Sequence, residues 1–474
     1  MKLRRWISLL ALLSGCHPVG PDYQVPEKAI VKSPAALAPF SASELRITSP
    51  QPVPGQWWRL YRDPVLDDLV EESLSANTDL RIGRASIARA AAGLKLAEDA
   101  RLPQTGVSAE FARTELSGEQ YLETVTLPPM NLYDVDFTAS YQLDIFGQIK
   151  RGIEAARDDH ESAQAAYDVV QITVAAETAR AYADACSAGE ELLVTGHILD
   201  LQRQNAALTA RLVAGGRGTV LDLARARGAV DTTQASIPGL RAQHQIALFR
   251  LATLAGRPPD QYSRDAAKCE TAPRLRQIIP VGDGAALLRR RPDIRRAERA
   301  LAGATARIGV AIADLYPKIS LGLNLESIGA AQDFLKSDTN SYALGPLLQW
   351  EFPNISATRA HIAATRAAAA ASYAQFDGTV LTALREVESA LTIYAQDLDR
   401  EQSLKAAQAR AATALKYEIR LQTAGRETIT AVLMARQILA ADDQAVAVQD
   451  VTVAHDQIAL FLALGGGWEK TDRE

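Results

Sequence analysis

No run of about eighteen apolar residues occurs anywhere in the 474-residue chain, so no transmembrane helix is expected. Aromatic residues are scarce at 6%, although hydrophobic residues reach 47%. The apolar content therefore rests on Ala, Leu, Val and Ile, a mixture that leans toward helix. An excess of positive charge is also lacking. The net charge of −5 leaves no footprint for a nucleic-acid partner. The six histidines, His17, His160, His197, His244, His361 and His455, show no metal-ligand spacing. Gly215–Gly218 lacks the Lys of a phosphate-binding loop. No nucleophile stands beside a base in a recognisable motif. No catalytic residue, cofactor or metal is expected, and an enzyme is the weakest reading.

Cysteine is nearly absent too, and its three positions are informative. Lys2, Arg4 and Arg5 precede a short apolar stretch, Trp6 to Leu13, followed by Leu13-Ser14-Gly15-Cys16. Residues 1–15 read as a signal peptide, too short to span a membrane as a helix. A Cys at the cleavage site resembles a bacterial lipobox, which makes Cys16 the lipid-attachment residue. Each buried acyl methylene contributes about 0.8 kcal/mol, so several chains on one Cys anchor firmly. An exported chain meets an oxidising compartment, where Cys186 and Cys269 can pair. Two buried free thiols are the alternative.

Prolines crowd the next segment and then almost vanish. Pro18, Pro21, Pro26, Pro34, Pro39, Pro50, Pro52 and Pro54 make residues 16–56 an extended, lipid-anchored strap. Beyond it the chain repeats itself. Asn77-Thr78-Asp79-Leu80-Arg81 opens a helix that ends before Pro103. Arg291-Pro292-Asp293-Ile294-Arg295 opens another that ends before Pro317. From 77 to 291 and from 103 to 317 the offset is 214. Asn77 suits an N-cap, Pro292 a first helical turn, and both Asp residues a helix N-terminus. Ala214–Thr219 parallels Thr423–Thr428, and Gln245-Ile246-Ala247-Leu248-Phe249 recurs letter for letter at Gln457–Phe461. Colinear matches of this extent read as a duplicated unit. They divide the chain into a first repeat, 57–270, a second repeat, 271–466, and a tail, 467–474.

Each repeat carries two segments of alternating polarity, expected as strands near 105–115, 135–144, 318–327 and 341–352. Val135, Phe137, Ala139, Tyr141 and Leu143 alternate with Asp136, Thr138, Ser140 and Gln142. Ile319, Leu321, Leu323 and Leu325 alternate with Ser320, Asn324 and Glu326. Period two gives one apolar and one polar face. Nine residues at ~3.3 Å reach about 30 Å, enough when tilted to cross a thin bilayer. Four strands cannot close a membrane barrel, and open edges are not tolerated in lipid, so several copies must combine. Between the strand pairs lie proline-free stretches. Ile149–Leu212 would run roughly 95 Å as one helix, and Ser356–Gln422 would be similar. Gly189 and Gly196 are candidate breaks in the first. Each stretch ends in a Gly-containing turn and a returning helix.

Several ordered motifs carry a family resemblance. They are Cys16 with Gly20-Pro21-Asp22-Tyr23; Trp57-Trp58 with Asp63-Pro64 and Leu66; Leu143-Asp144-Ile145-Phe146-Gly147; Gly216-Arg217-Gly218-Thr219 with Leu221-Asp222; Arg290-Arg291-Pro292-Asp293-Ile294; and Ile308-Gly309 with Tyr316-Pro317. The chain resembles the TolC-type outer-membrane efflux proteins, in the lipoprotein branch that serves resistance-nodulation-division pumps. The resemblance implies an α+β membrane protein and a homotrimer. A long antiparallel α-helical barrel would stand in the periplasm, below a twelve-stranded barrel built from four transmembrane β-strands per chain. It implies an exit duct in the outer membrane that passively conducts drugs or toxic compounds. The implied partners are a periplasmic adaptor protein, an inner-membrane pump and outer-membrane lipid. Carried over by position, the adaptor-docking tips are Gly215, Gly216, Arg217, Gly218 and Thr219, and Ala424, Gly425, Arg426 and Thr428. Charges available for a periplasmic gate are Asp222, Arg420 and Glu427, beside Arg217 and Arg426. Ala431 stands where Asp222 stands in the first repeat, so any acidic ring is differently composed here. Arg289, Arg290 and Arg291 either line a surface of the duct or, the preferred reading, form a solvated helix entry. A polypeptide exit duct of type I secretion and a coiled-coil periplasmic lipoprotein are the competing readings.

Overall fold

A computed structural model describes residues 18–40, 48–115, 117, 124, 128–275, 277–352 and 355–467. Cys16, the signal peptide and residues 468–474 of the tail lie outside the described residues. The described residues form two compact units. Among them, one comprises residues 18–26, Ser86–Gln164 and Arg296–Phe376; the other comprises Glu27–Ala85, Ala165–Arg295 and residues 377–467. These units do not coincide with the sequence repeats, because each repeat contributes to both.

The first unit holds a four-stranded antiparallel sheet. Its strands are β1 (Gln104–Thr114), β2 (Met130–Leu143), β3 (Lys318–Ala330) and β4 (Asn340–Gln349). They pair in the order β1-β2-β3-β4, leaving β1 and β4 as edges without a partner among the described residues. Pro346, which lacks an N–H for the ladder, sits on the edge strand β4, where such a residue is tolerated. The expected strands are all present, but β2 begins five residues before the alternation suggests.

Helices carry the rest of the chain. Asp63 caps α1 (Pro64–Ala76) by accepting the amides of Val65 and Leu66. Asn77 Oδ1 accepts the amides of Asp79 and Leu80 at the start of α2 (Thr78–Asp99), as its sequence position suggests. The two longest helices are α3 (Gln148–Ala214, 67 residues) and α7 (Ile355–Thr423, 69 residues). At 1.5 Å per residue each extends about 100 Å. Gly189 and Gly196 do not break α3. The returning helices are α4 (Val220–Leu254) and α8 (Ile429–Ala463), while α5 (Gly284–Arg290) leads into α6 (Pro292–Ala313). Pro238 lies inside α4 on an exposed face, where water can satisfy the carbonyl it frees.

The proline-rich strap is less uniformly extended than its composition suggests. It contains a 3-10 turn, Ile30–Lys32, and an α-helical turn, Pro34–Leu37, the latter capped by the Ser33 hydroxyl. Thr48–Ser49 pairs in parallel with Ile279–Pro280, a bridge that no alternation announces. The second unit's core is aromatic in spite of the chain's low aromatic content. Trp57 stacks on Phe461 at 4.8 Å, and Trp58, Leu66 and Val70 are buried beside it.

Candidate functional site

The sheet separates its side chains by chemistry. Across β2 and β3, Phe137 faces Leu325, Ala139 faces Leu323, Tyr141 faces Leu321 and Leu143 faces Ile319. The pattern extends outward, with Val107 beside Phe137 and with Tyr342, Leu344 and Leu348 beside Leu325, Leu323 and Ile319. One face is thus apolar over four strands. The other carries Thr138 opposite Asn324, Gln142 opposite Ser320 and Asp136 opposite Glu326. The apolar face is uncovered: Tyr342 is 81% exposed, Phe111 70% and Leu344 67%. Apolar surface left in water forfeits about 25 cal/mol per Å². A face this wide therefore needs an apolar neighbour.

At one end of the sheet, aromatic rings gather. Phe146 stacks on Tyr316 at 4.4 Å, and Trp350 lies 5.0 Å from Phe352. Trp350 also donates from Nε1 to the Leu315 carbonyl at 3.2 Å. Amphipathic rings that are half apolar and half hydrogen-bonded belong at a water–hydrocarbon boundary. Near the other end, buried Tyr133 organises the β3–β4 turn. Its hydroxyl accepts the Leu335 amide at 2.9 Å and stands 2.7 Å from Thr339 Oγ1 and 3.0 Å from Ser327 Oγ. The sequence alternation misses Tyr133 because Met130 and Leu132 break its phase.

Just beyond the aromatic end, the strap is keyed to the start of α3. Val19 donates to the Phe146 carbonyl. Arg151, its side chain 3% exposed, donates to Val19 O, Gly20 O and the Asp22 carboxylate. In the sequence Cys16 lies three residues before Val19.

Both helix-hairpin tips have the same backbone design. Gly216 at φ +67° and Gly425 at φ +71° occupy the left-handed position that ends α3 and α7. The amide of Arg217 reaches back to Leu212 O, and that of Arg426 to Leu421 O. Thr219 and Thr428 then cap α4 and α8. Here the repeats part. In the first tip, Asp222 closes a capping box: its amide donates to Thr219 Oγ1 while its carboxylate accepts from the Thr219 hydroxyl and amide. These bonds hold the Asp222 carboxyl below the ordinary carboxylate range. In the second tip, Ala431 offers only its amide to Thr428, so the box is half made. Glu427 accepts from the Thr428 amide, and Arg420 lies over the Tyr417 ring. Asp222 and Glu427 are therefore engaged at their own turns, and the structure joins none of the three candidate gate charges to another by a bond.

The second unit contains two repeat-related helix junctions that sequence reasoning missed. Asn77 Nδ2 donates to the Leu254 carbonyl at the end of α4. At the matching place in the second repeat, Arg291 Nη1 donates to the Ala463 carbonyl at the end of α8. Arg291 also pairs with Asp293 and Glu386. It is buried, which corrects the reading of Arg289–Arg291 as a wholly solvated entry. A carbonyl stranded where two helices abut needs a donor, and this requirement binds the guanidinium. Nearby, Cys186 and Cys269 form a disulfide with Cα atoms 4.6 Å apart. It fastens the segment after α4 against α3. That segment is held again where Arg274 bridges Glu401 and Asp450. Burial opposes the Glu401 charge, but hydrogen bonds from Arg274 and Lys405 prevail and bring its carboxyl down to about 2.

Among the described residues, no helix is long and apolar enough to cross a membrane, and no group of three or more His, Cys, Asp or Glu could hold a metal ion.

Comparison with known proteins agrees with this geometry. The model of the outer membrane efflux protein family matches residues 69–257 and 285–466. Nodulation protein T of Rhizobium leguminosarum bv. trifolii is 30% identical over 96% of each chain. The pyoverdine export outer membrane protein OpmQ of Pseudomonas putida is 29% identical over 97% of this chain and 96% of its own. Among solved structures, the outer-membrane channel OprN superposes with a TM-score of 0.85 at 30% identity, covering 95% of this chain and 99% of its own.

Proposed function

The chain belongs to the outer membrane efflux protein family, and from that premise we propose how its parts form a trimeric, lipid-anchored exit duct. It is an outer-membrane channel of an efflux system. Three copies, each giving four strands, close a twelve-stranded barrel, wide enough for a bore where eight strands would be filled by side chains. The uncovered apolar face meets lipid, and Asp136, Thr138, Asn324 and Glu326 line the bore. Joining β1 of one copy to β4 of the next removes every open edge.

Lipidated Cys16 adds an anchor to the outer membrane. The two hairpin tips, Gly215–Thr219 and Ala424–Thr428, are the docking points for a periplasmic adaptor that couples the duct to an inner-membrane pump. Asp222, Arg420 and Glu427 lie at the gated end. The cargo class is small molecules, the reading that the pyoverdine-exporting relative OpmQ supports. The duct is passive, as the family resemblance implies, and the pump supplies the energy.

The observation that carries this reading is the uncovered apolar face of a sheet with two free edges. The test removes the lipid and leaves the sheet. A Cys16→Ala chain exported through an ordinary signal sequence stays in the outer-membrane fraction and needs detergent for extraction. A chain that is exported, folded and water-soluble overturns the duct.

A further inference from the structure

A groove of about 460 Å³ opens in the second unit beside the Arg291 junction. Its walls are Val169 and Ile172 of α3 and Ala390 and Ile393 of α7; its floor is Ala459 and Leu462 of α8. That volume lies in the range of small-molecule sites, which are mostly apolar with a few placed polar groups.

The groove's direction follows from the helix packing. On one side α8 meets α3, through Gln437–Gln202 and His455–Asp184. On the other it meets α7, through Gln408–Asp443 and Gln449–Asp397. Ile458, Phe461 and Leu464 turn one face of α8 to the Trp57 core. Asp456 and Ala459 lie about half a turn away and line the groove. A bore filled by a packed core could not conduct, so in the proposed duct the core lies outside and the groove faces the lumen.

The groove's charges are unequally matched. Arg291 is fully engaged by Asp293, Glu386 and Ala463 O, and Arg385 stands exposed at the mouth. Asp456 makes no ion pair within 4 Å among the described residues; its Oδ2 is buried, and its carboxyl shares a hydrogen bond with a second acid, Asp397. The nearest titratable groups are Asp397 on α7, a second acid, and His455, which already faces Asp184. Asp456 thus lines this end of the groove with a second carboxyl beside it and no committed cation.

We infer that the groove is a binding station on the inner wall of the duct for an amphipathic organic cation, with Asp456 as its counter-charge. The inference rests on the duct reading and adds a cargo chemistry to it. The apolar body of the cation would lie against Ile172, Ile393 and Leu462, and its charge would meet Asp456. Burial, reinforced by Asp397, pushes the Asp456 carboxyl up to about 7. The empty groove thus tolerates a neutral acid, and the isosteric Asp456→Asn chain should fold as the wild type does.

Tetraphenylarsonium is a suitable probe, being an apolar cation with a heavy atom that anomalous diffraction can locate. Tetraphenylborate matches its shape with the opposite charge. Crystals of the full chain in detergent, soaked with the arsonium, should show arsenic in the groove of every copy. Asp456→Asn should lose the peak and weaken arsonium binding by about tenfold, while the borate should not compete. Wild-type affinity should rise from pH 6 to pH 8 as Asp456 ionises. An empty groove, a peak unchanged in Asp456→Asn, equal uptake of the borate, or a neighbouring copy filling the groove overturns the inference. A Cys16→Ala chain that stays in the membrane with an empty groove removes this inference alone. A water-soluble one removes the duct reading as well.

Discussion

Gly189 shows how a single residue can be legible as a type yet misread as a device. In the sequence it is a candidate helix break. In the fold, α3 runs straight through it, and a Cβ there would collide with the Cys269 carbonyl. The glycine is present for close approach, which lets Cys269 reach Cys186 one turn away. Gly189→Ala is therefore expected to block the disulfide. Thiol titration of the unfolded protein should find Cys186 and Cys269 reduced, where the wild type has none free at those positions. Asp456 makes a second residue-scale prediction. Its carboxyl is raised, so the folded state binds a proton that the unfolded chain releases at lower pH. Stability contributed by this group is greatest in acid and is lost as pH rises from the ordinary carboxylate range through about 7. Denaturant unfolding of Asp456→Asn should show a variant more stable than wild type at pH 8, with the gap closing below pH 4.

Among the elements, the strands were legible because period two leaves a trace in any sequence whose two faces meet different solvents. The long helices were legible from missing proline. The junction donors Asn77 and Arg291 were not, since which carbonyl a side chain will meet depends on another helix more than 170 residues away. Tyr133 escaped for a similar reason: its partners come from the β3–β4 turn, and their order is tertiary. The two faces of the sheet predict opposite responses. Leu344→Arg, on the apolar face, should cost roughly 2–4 kcal/mol in unfolding measured from lipid vesicles, if its strand lies near the bilayer midplane. Asn324→Arg, on the polar face, should cost far less. At the tips, Ala431→Asp should complete the capping box that the second repeat lacks. A gain of about 0.5–1 kcal/mol is expected by thermal unfolding.

On the scale of the molecule, the duplication explains both the economy of the chain and its incompleteness. Each repeat supplies two strands, one very long helix and one returning helix, and the fold draws both compact units from both repeats. The sheet they build has one apolar face without a cover and two edges without partners. The need for more copies could be read from the sequence, because four strands are too few. Their number could not, because no local pattern records how many neighbours complete a ring; three comes from the family resemblance. Single-particle electron microscopy of the detergent-solubilised full-length protein should show three chains about one axis, with β1 of each paired to β4 of the next in a closed ring of twelve strands. Separate monomers with a free sheet, or a closed ring of any other number of chains, would contradict it.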